Sequence, residues 1–126
     1  MRKENNLIGI AIIFMTICSI LAGCTKDSPV VNLTRQGGDL IVKGNYTSAL
    51  EKLTEAINLD PNFPYSYYFR AIIYINNGDS EKAFADYHKA KSLYTREAQA
   101  QIGSEYLTRN GFDKPINNLG EALYSK

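Results

Sequence analysis

The sequence predicts an all-α fold, a solenoid of helical hairpins built from about six short antiparallel helices. Three observations carry this reading. Laid over itself with an offset of 34, the chain matches Gly44 to Gly78, Ala49 to Ala83, Ala56 to Ala90 and Leu59 to Leu93, with Leu53 meeting Tyr87. Within each copy, apolar or small residues recur at steps of three and four, which draws one stripe along a helix. A glycine turn precedes each stripe, Lys43-Gly44-Asn45 and then Asn77-Gly78-Asp79. Units of this size cannot bury their own apolar faces, so they stack, and function lies in the surface that stacking creates.

Taken in order, the first helix of the first copy carries Leu33, Gly37 and Leu40. Gly37-Gly38 lacks the strand and spacing of a phosphate loop and reads as a helix-crossing glycine plus one spare. The second helix holds Tyr46, Ala49, Leu50, Leu53, Ala56, Ile57 and Leu59 on one side, with Lys52, Glu55 and Asn58 facing water. Asp60-Pro61-Asn62 closes that hairpin, and Pro64 suits the first turn of the next helix. The third helix has Tyr67, Ala71 and Tyr74 as its stripe. The fourth has Ala83, Phe84, Tyr87, Ala90 and Leu93, with Glu81, Lys82, Asp86 and Lys89 turned to solvent. Asp79 and Thr95 fit as N-caps. Beyond Thr95 the pattern loosens: Gly111 follows Gly78 by 33, Ser104 stands at the crossing position, Leu107 at the large one, and Phe112 is a displaced aromatic.

These residues resemble the tetratricopeptide repeat (TPR). That motif sets a large residue, a small one four on, an aromatic, a second small residue, a second aromatic and a closing proline. Tyr67, Ala71, Tyr74, Ala83 and Tyr87 match it, as do Leu33, Gly37, Leu40, Ala49, Leu53 and Pro61. The implied repeats are 30–63, 64–97 and a degenerate 98–126, forming a domain over 30–126. Small residues at Gly37, Ala49, Ala56, Ala71, Ala83 and Ala90 would let helix backbones approach closely. A second apolar stripe, Tyr65, Tyr68, Ile72 and Ile75, runs beside the first on the third helix. The resemblance makes it part of a peptide-binding groove, joined by Thr34, Ile41, Ile102 and Tyr106, with about half of its area buried by flanking helices. Thr34, Gly38 and Phe69 stand where chaperone-tail clamps of this family carry lysine, asparagine and arginine, so carboxylate-tail capture is not expected.

Residues 1–23 read as a cleaved leader, followed by a short tether over 24–29. Arg2 and Lys3 precede an apolar run from Leu7 to Ala22, which falls short of the ~20 residues that span a bilayer. The run ends in Leu21-Ala22-Gly23-Cys24, which resembles the lipobox of bacterial lipoproteins and implies a covalent lipid on Cys24. Thr25 after the cysteine implies the periplasmic face of an outer membrane, or the outer face of the cytoplasmic membrane where there is only one. Loss of the leader takes Arg2, Lys3 and Glu4 from 14 basic and 13 acidic residues, leaving 12 of each, and no basic stripe speaks for nucleic acid. It also removes Cys18, so no disulfide is expected.

Catalytic chemistry is not expected. His88 is the only histidine and lies off the core stripe, and neither a nucleophile–base pair nor a metal set can be built around it. No cofactor and no metal are expected. The reading is a lipid-anchored, non-enzymatic adaptor or scaffold that docks a protein or peptide in the cell envelope. Its alternative is a pilot or assembly subunit for an outer-membrane pore or pilus machine, making contact through flat faces. So short an array leaves a homodimer or a stabilising partner as a further expectation.

Overall fold

The computed structural model describes residues 28–112, in which six helices follow one another: α1 Pro29–Val42, α2 Tyr46–Leu59, α3 Pro64–Asn76, α4 Ser80–Leu93, α5 Arg96–Ile102 and α6 Ser104–Arg109. The fold is all-α, in the helical-hairpin arrangement that the 34-residue period predicts. The leader, Cys24 and residues 113–126, the tail of the third expected repeat, lie outside the described residues.

The hairpin corners repeat one piece of backbone chemistry. After α1, Gly44 takes a φ of 76°, its N–H bonds to the carbonyl of Ile41, and the N–H of Asn45 reaches back to Leu40. After α3, Gly78 takes the same φ, with bonds from Gly78 to Ile75 and from Asp79 to Tyr74. This is the Schellman arrangement, which satisfies the orphan carbonyls of a helix end and needs a residue that tolerates positive φ. Asn45 and Asp79 then start the next helix, their side chains accepting from the N–H of Ser48 and Lys82. The third copy keeps the motif: Gly111 has a φ of 73°, and the N–H of Phe112 bonds to Leu107.

Packing within hairpins follows the small residues. A Cβ on Gly37 would stand 2.6 Å from Cγ of Leu53, so glycine is what lets α1 and α2 meet. Ala49, Ala56, Ala71, Ala83 and Ala90 are fully buried. Between hairpins, α3 packs on both α2 and α1. That seam holds a buried polar pair, in which Thr34 Oγ1 lies 2.7 Å from Ser66 Oγ and donates to the carbonyl of Val30. The Tyr67 hydroxyl donates to the carbonyl of Pro61 and fixes the corner between α2 and α3. Asp86 is not on the solvated side as its polarity suggests. It is buried on α4 and holds Arg70 of α3 in a two-point ion pair of 2.6 and 2.8 Å. Leu59, read as part of the stripe, is exposed at the end of α2.

The third copy departs from the stack. Its first helix is broken in two at Gly103, whose φ of 88° and ψ of 117° are not helical. Thr95 caps α5 by accepting from the N–H of Ala98, but α5 then lies against α1 and α3. Ser104, expected at a tight crossing, is exposed at the start of α6, because the break at Gly103 turns that position outward. Helices of seven and six residues are far below the length that is stable alone in water. Ordering residues 96–112, an arm beyond the second hairpin, costs about 1–2 kcal/mol per residue and must therefore be offset by burial on the rest of the chain.

Candidate functional site

The face made by α1 and α3 is where the second apolar stripe falls, and the arm 96–112 occupies it. Its centre is Gly38. Because Gly38 carries no side chain, the Tyr106 hydroxyl and the rings of Phe69 and Phe112 close on the α1 backbone, Phe69 coming within 3.0 Å of where a Cβ would sit. Phe69 and Phe112 lie with ring centroids 4.6 Å apart. Tyr65 meets Phe69 and Tyr94 edge-on at 6.3 and 6.5 Å, favoured geometries for aromatic pairs.

Polar contacts fasten the rim. Arg35 Nε donates to the carbonyl of Ile102 at 3.0 Å and Nη2 to that of Gln101 at 3.2 Å, so one guanidinium takes up two carbonyls at the end of α5. In return the Tyr106 hydroxyl lies 2.8 Å from the carbonyl of Arg35 and 3.0 Å from a carboxylate oxygen of Asp39, sharing its single proton between them. The Arg35 guanidinium also stands 5.8 Å from the Tyr106 ring centroid. Burial, then the hydrogen bond to Asp39, push the Tyr106 phenol well above its ordinary range. Burial also raises Tyr65, helped by Tyr94 and Tyr68. Beside this seam is a shallow cleft of about 380 Å³ lined by Arg35, Asp39, Gly103, Glu105, Tyr106 and Arg109. Its two cations and two anions give it no net sign.

The expected groove residues are therefore redistributed. Thr34, Ile41, Tyr65, Tyr68, Ile102 and Tyr106 are buried, and only Ile72 and Ile75 on the far half of α3 remain partly accessible. The correction has a physical cause: six consecutive residues, Pro64 to Phe69, are buried because α3 is enclosed by α1, α2, α4 and the arm. Ile102 and Tyr106 belong to the occupant, not to the wall. Sequence reasoning missed Arg35, Asp39 and the need for Gly38. The available signal was the Arg35–Asp39 spacing of one helical turn beside a glycine pair. His88 is exposed and packs on Phe84, ring centroids 4.3 Å apart. Among the described residues no three His, Cys, Asp or Glu side chains are grouped to hold a metal, and no helix is long and apolar enough to cross a membrane.

Comparison with known proteins bears on the hairpins that precede the arm. A family model described as "TPR repeat" matches residues 39–78, and one described as "Tetratricopeptide repeat" matches 64–96. The chain is 42% identical over 78 residues to "Photosystem I assembly protein Ycf3" of Acaryochloris marina, covering 60% of this chain and 47% of that one. It is 25% identical over 83 residues to "Tetratricopeptide repeat and J domain-containing co-chaperone DNJ1" of Cryptococcus neoformans var. grubii, covering 66% of this chain and 16% of the relative. It thus spans about half of the first and a sixth of the second. No solved structure matches it significantly. Together the two models run from the end of α1 through α4, so tetratricopeptide repeats are found over residues 39–96.

Proposed function

We propose that this protein is a bacterial lipoprotein, anchored by acyl chains on Cys24, whose tetratricopeptide repeats serve as a non-enzymatic protein-interaction adaptor in the cell envelope. The observation that carries the adaptor reading is the pair of repeats itself, whose stacked helices present surfaces for contact. Two relatives, a photosystem I assembly protein and a J domain-containing co-chaperone, support the same reading. Anchoring rests on the sequence Leu21-Ala22-Gly23-Cys24. Several acyl chains, at ~0.8 kcal/mol per buried methylene, make such attachment effectively permanent. The module then works on the periplasmic face of an outer membrane, or outside the cytoplasmic membrane where there is only one. Tethering raises the effective concentration of a membrane-bound partner.

A second reading, an assembly subunit that makes contact through its outer faces, is favoured by one observation: its own arm fills the α1–α3 face. Photoreactive residues at Ile72 and at Leu59 separate the two. Crosslinks from Ile72 alone support docking beside the arm, crosslinks from Leu59 alone support the outer-face subunit, and none from either sinks the adaptor reading. Anchoring is checked by Cys24→Ala, which must leave the protein unlipidated by mass spectrometry and free of the membrane fraction.

A further inference from the structure

We propose that the α1–α3 face is a helix-binding site whose resident occupant is the chain's own arm, and that an external helix of like chemistry binds by displacing it. The inference rests on the adaptor reading and names its site. Three observations support it. First, the contacts are those of an occupant seated on a surface: Arg35 grips the carbonyl end of a short helix, Tyr106 bonds back to the α1 backbone, and Phe112 stacks on Phe69. Second, the arm breaks the stacking pattern to reach this face, lying on α1 and α3. Third, it has the build of a separately opening unit. It begins at an extended Tyr94-Thr95 junction, is interrupted at the positive-φ Gly103, and consists of two helices too short to persist alone.

The same contacts define the partner. It is a short helix ending in a glycine turn, so that its last carbonyls are left for Arg35. A tyrosine one turn on reaches the Arg35 carbonyl, and an aromatic ring beyond it covers Phe69 and Gly38. Specificity comes from Gly38, since any side chain there occupies the space the tyrosine hydroxyl needs.

Hydrogen exchange on the full chain tests the opening. The amides of Ile102 to Phe112 should exchange at least about a hundredfold faster than those of Leu53 and Ala56; equal protection overturns the proposal. A fluorescent peptide of residues 96–112 tests the site. It should bind the full-length Y106F/F112A variant at least tenfold more tightly than the unmodified chain, and addition of G38V should abolish binding. Equal affinity, or no binding to either, overturns the proposal, and the exchange experiment decides it should the double variant not fold. An arm that opens and takes the peptide while the photoreactive residues capture nothing sinks the adaptor reading alone. An arm that stays shut while Ile72 crosslinks sinks this one alone.

Discussion

Gly38 and Tyr106 are matched in shape: a methyl group on the glycine would overlap the phenol hydroxyl, which is hydrogen-bonded to the carbonyl of Arg35. Gly38→Ala should therefore act on the arm before it acts on the hairpins. Helix propensity gains about 1 kcal/mol, while displacing a buried hydroxyl and crowding Phe69 costs about 1–3 kcal/mol. Faster amide exchange confined to residues 102–112, with α2 unchanged, is the expected outcome.

Arg70 and Asp86 form a largely buried ion pair that ties α3 to α4. The hydrogen bond to Asp86 raises the Arg70 guanidinium further above its ordinary value, with burial opposing it. Asp86→Ala alone should cost about 2–3 kcal/mol, less than the ~3–5 of a fully enclosed pair. The double change Arg70→Met with Asp86→Leu should cost much less, since no unpaired charge is left behind. Urea midpoints of the two variants provide the comparison.

Thr34 and Ser66 make a hydroxyl pair with no access to water. Thr34→Val strands the Ser66 hydroxyl and should cost about 1–3 kcal/mol. Adding Ser66→Ala should recover part of that loss, because both polar groups are then gone. A double-mutant cycle measured by thermal unfolding reads the coupling directly.

Asp79 caps α4 and pairs with Lys82 at 2.8 Å. The hydrogen bond to the Lys82 side chain, then the one from the Lys82 backbone, hold its carboxyl below the ordinary value of 3.8. A depressed carboxyl stabilises the fold fully above that ordinary value and loses this contribution as pH falls below it. The raised Lys82 ammonium contributes below its ordinary 10.5 and is lost above it, for the same hydrogen bond to Asp79. Asp79→Asn keeps a good cap but removes the charge. Its Tm should then run parallel to the unmodified chain near neutrality, and the gap between them should shrink at the acid end.

The sequence showed best what depends on local backbone. Gly44, Gly78 and Gly111 announced three identical helix endings, even across the 33-residue spacing, because a left-handed corner needs a residue without a Cβ. Asp79 and Thr95 were equally plain as caps. Contacts between distant segments were not legible. Asp86 looked solvated because its partner Arg70 lies on another helix, 16 residues earlier. Tyr65 and Tyr68 looked like a groove because nothing in their neighbourhood reveals that the helix carrying them packs against α1, α2, α4 and α5 at once. The periodicity gave α3 as apolar nearly all round; only the fold says what encloses it.

The bond from Tyr106 to Arg35 joins positions 71 apart, and this has a consequence for biosynthesis. At about 5–20 residues per second, a ribosome needs roughly 4–14 s after making Arg35 before Tyr106 exists. From the moment α3 has followed α1 until the arm is made, the nascent chain shows a greasy flank that the finished molecule hides.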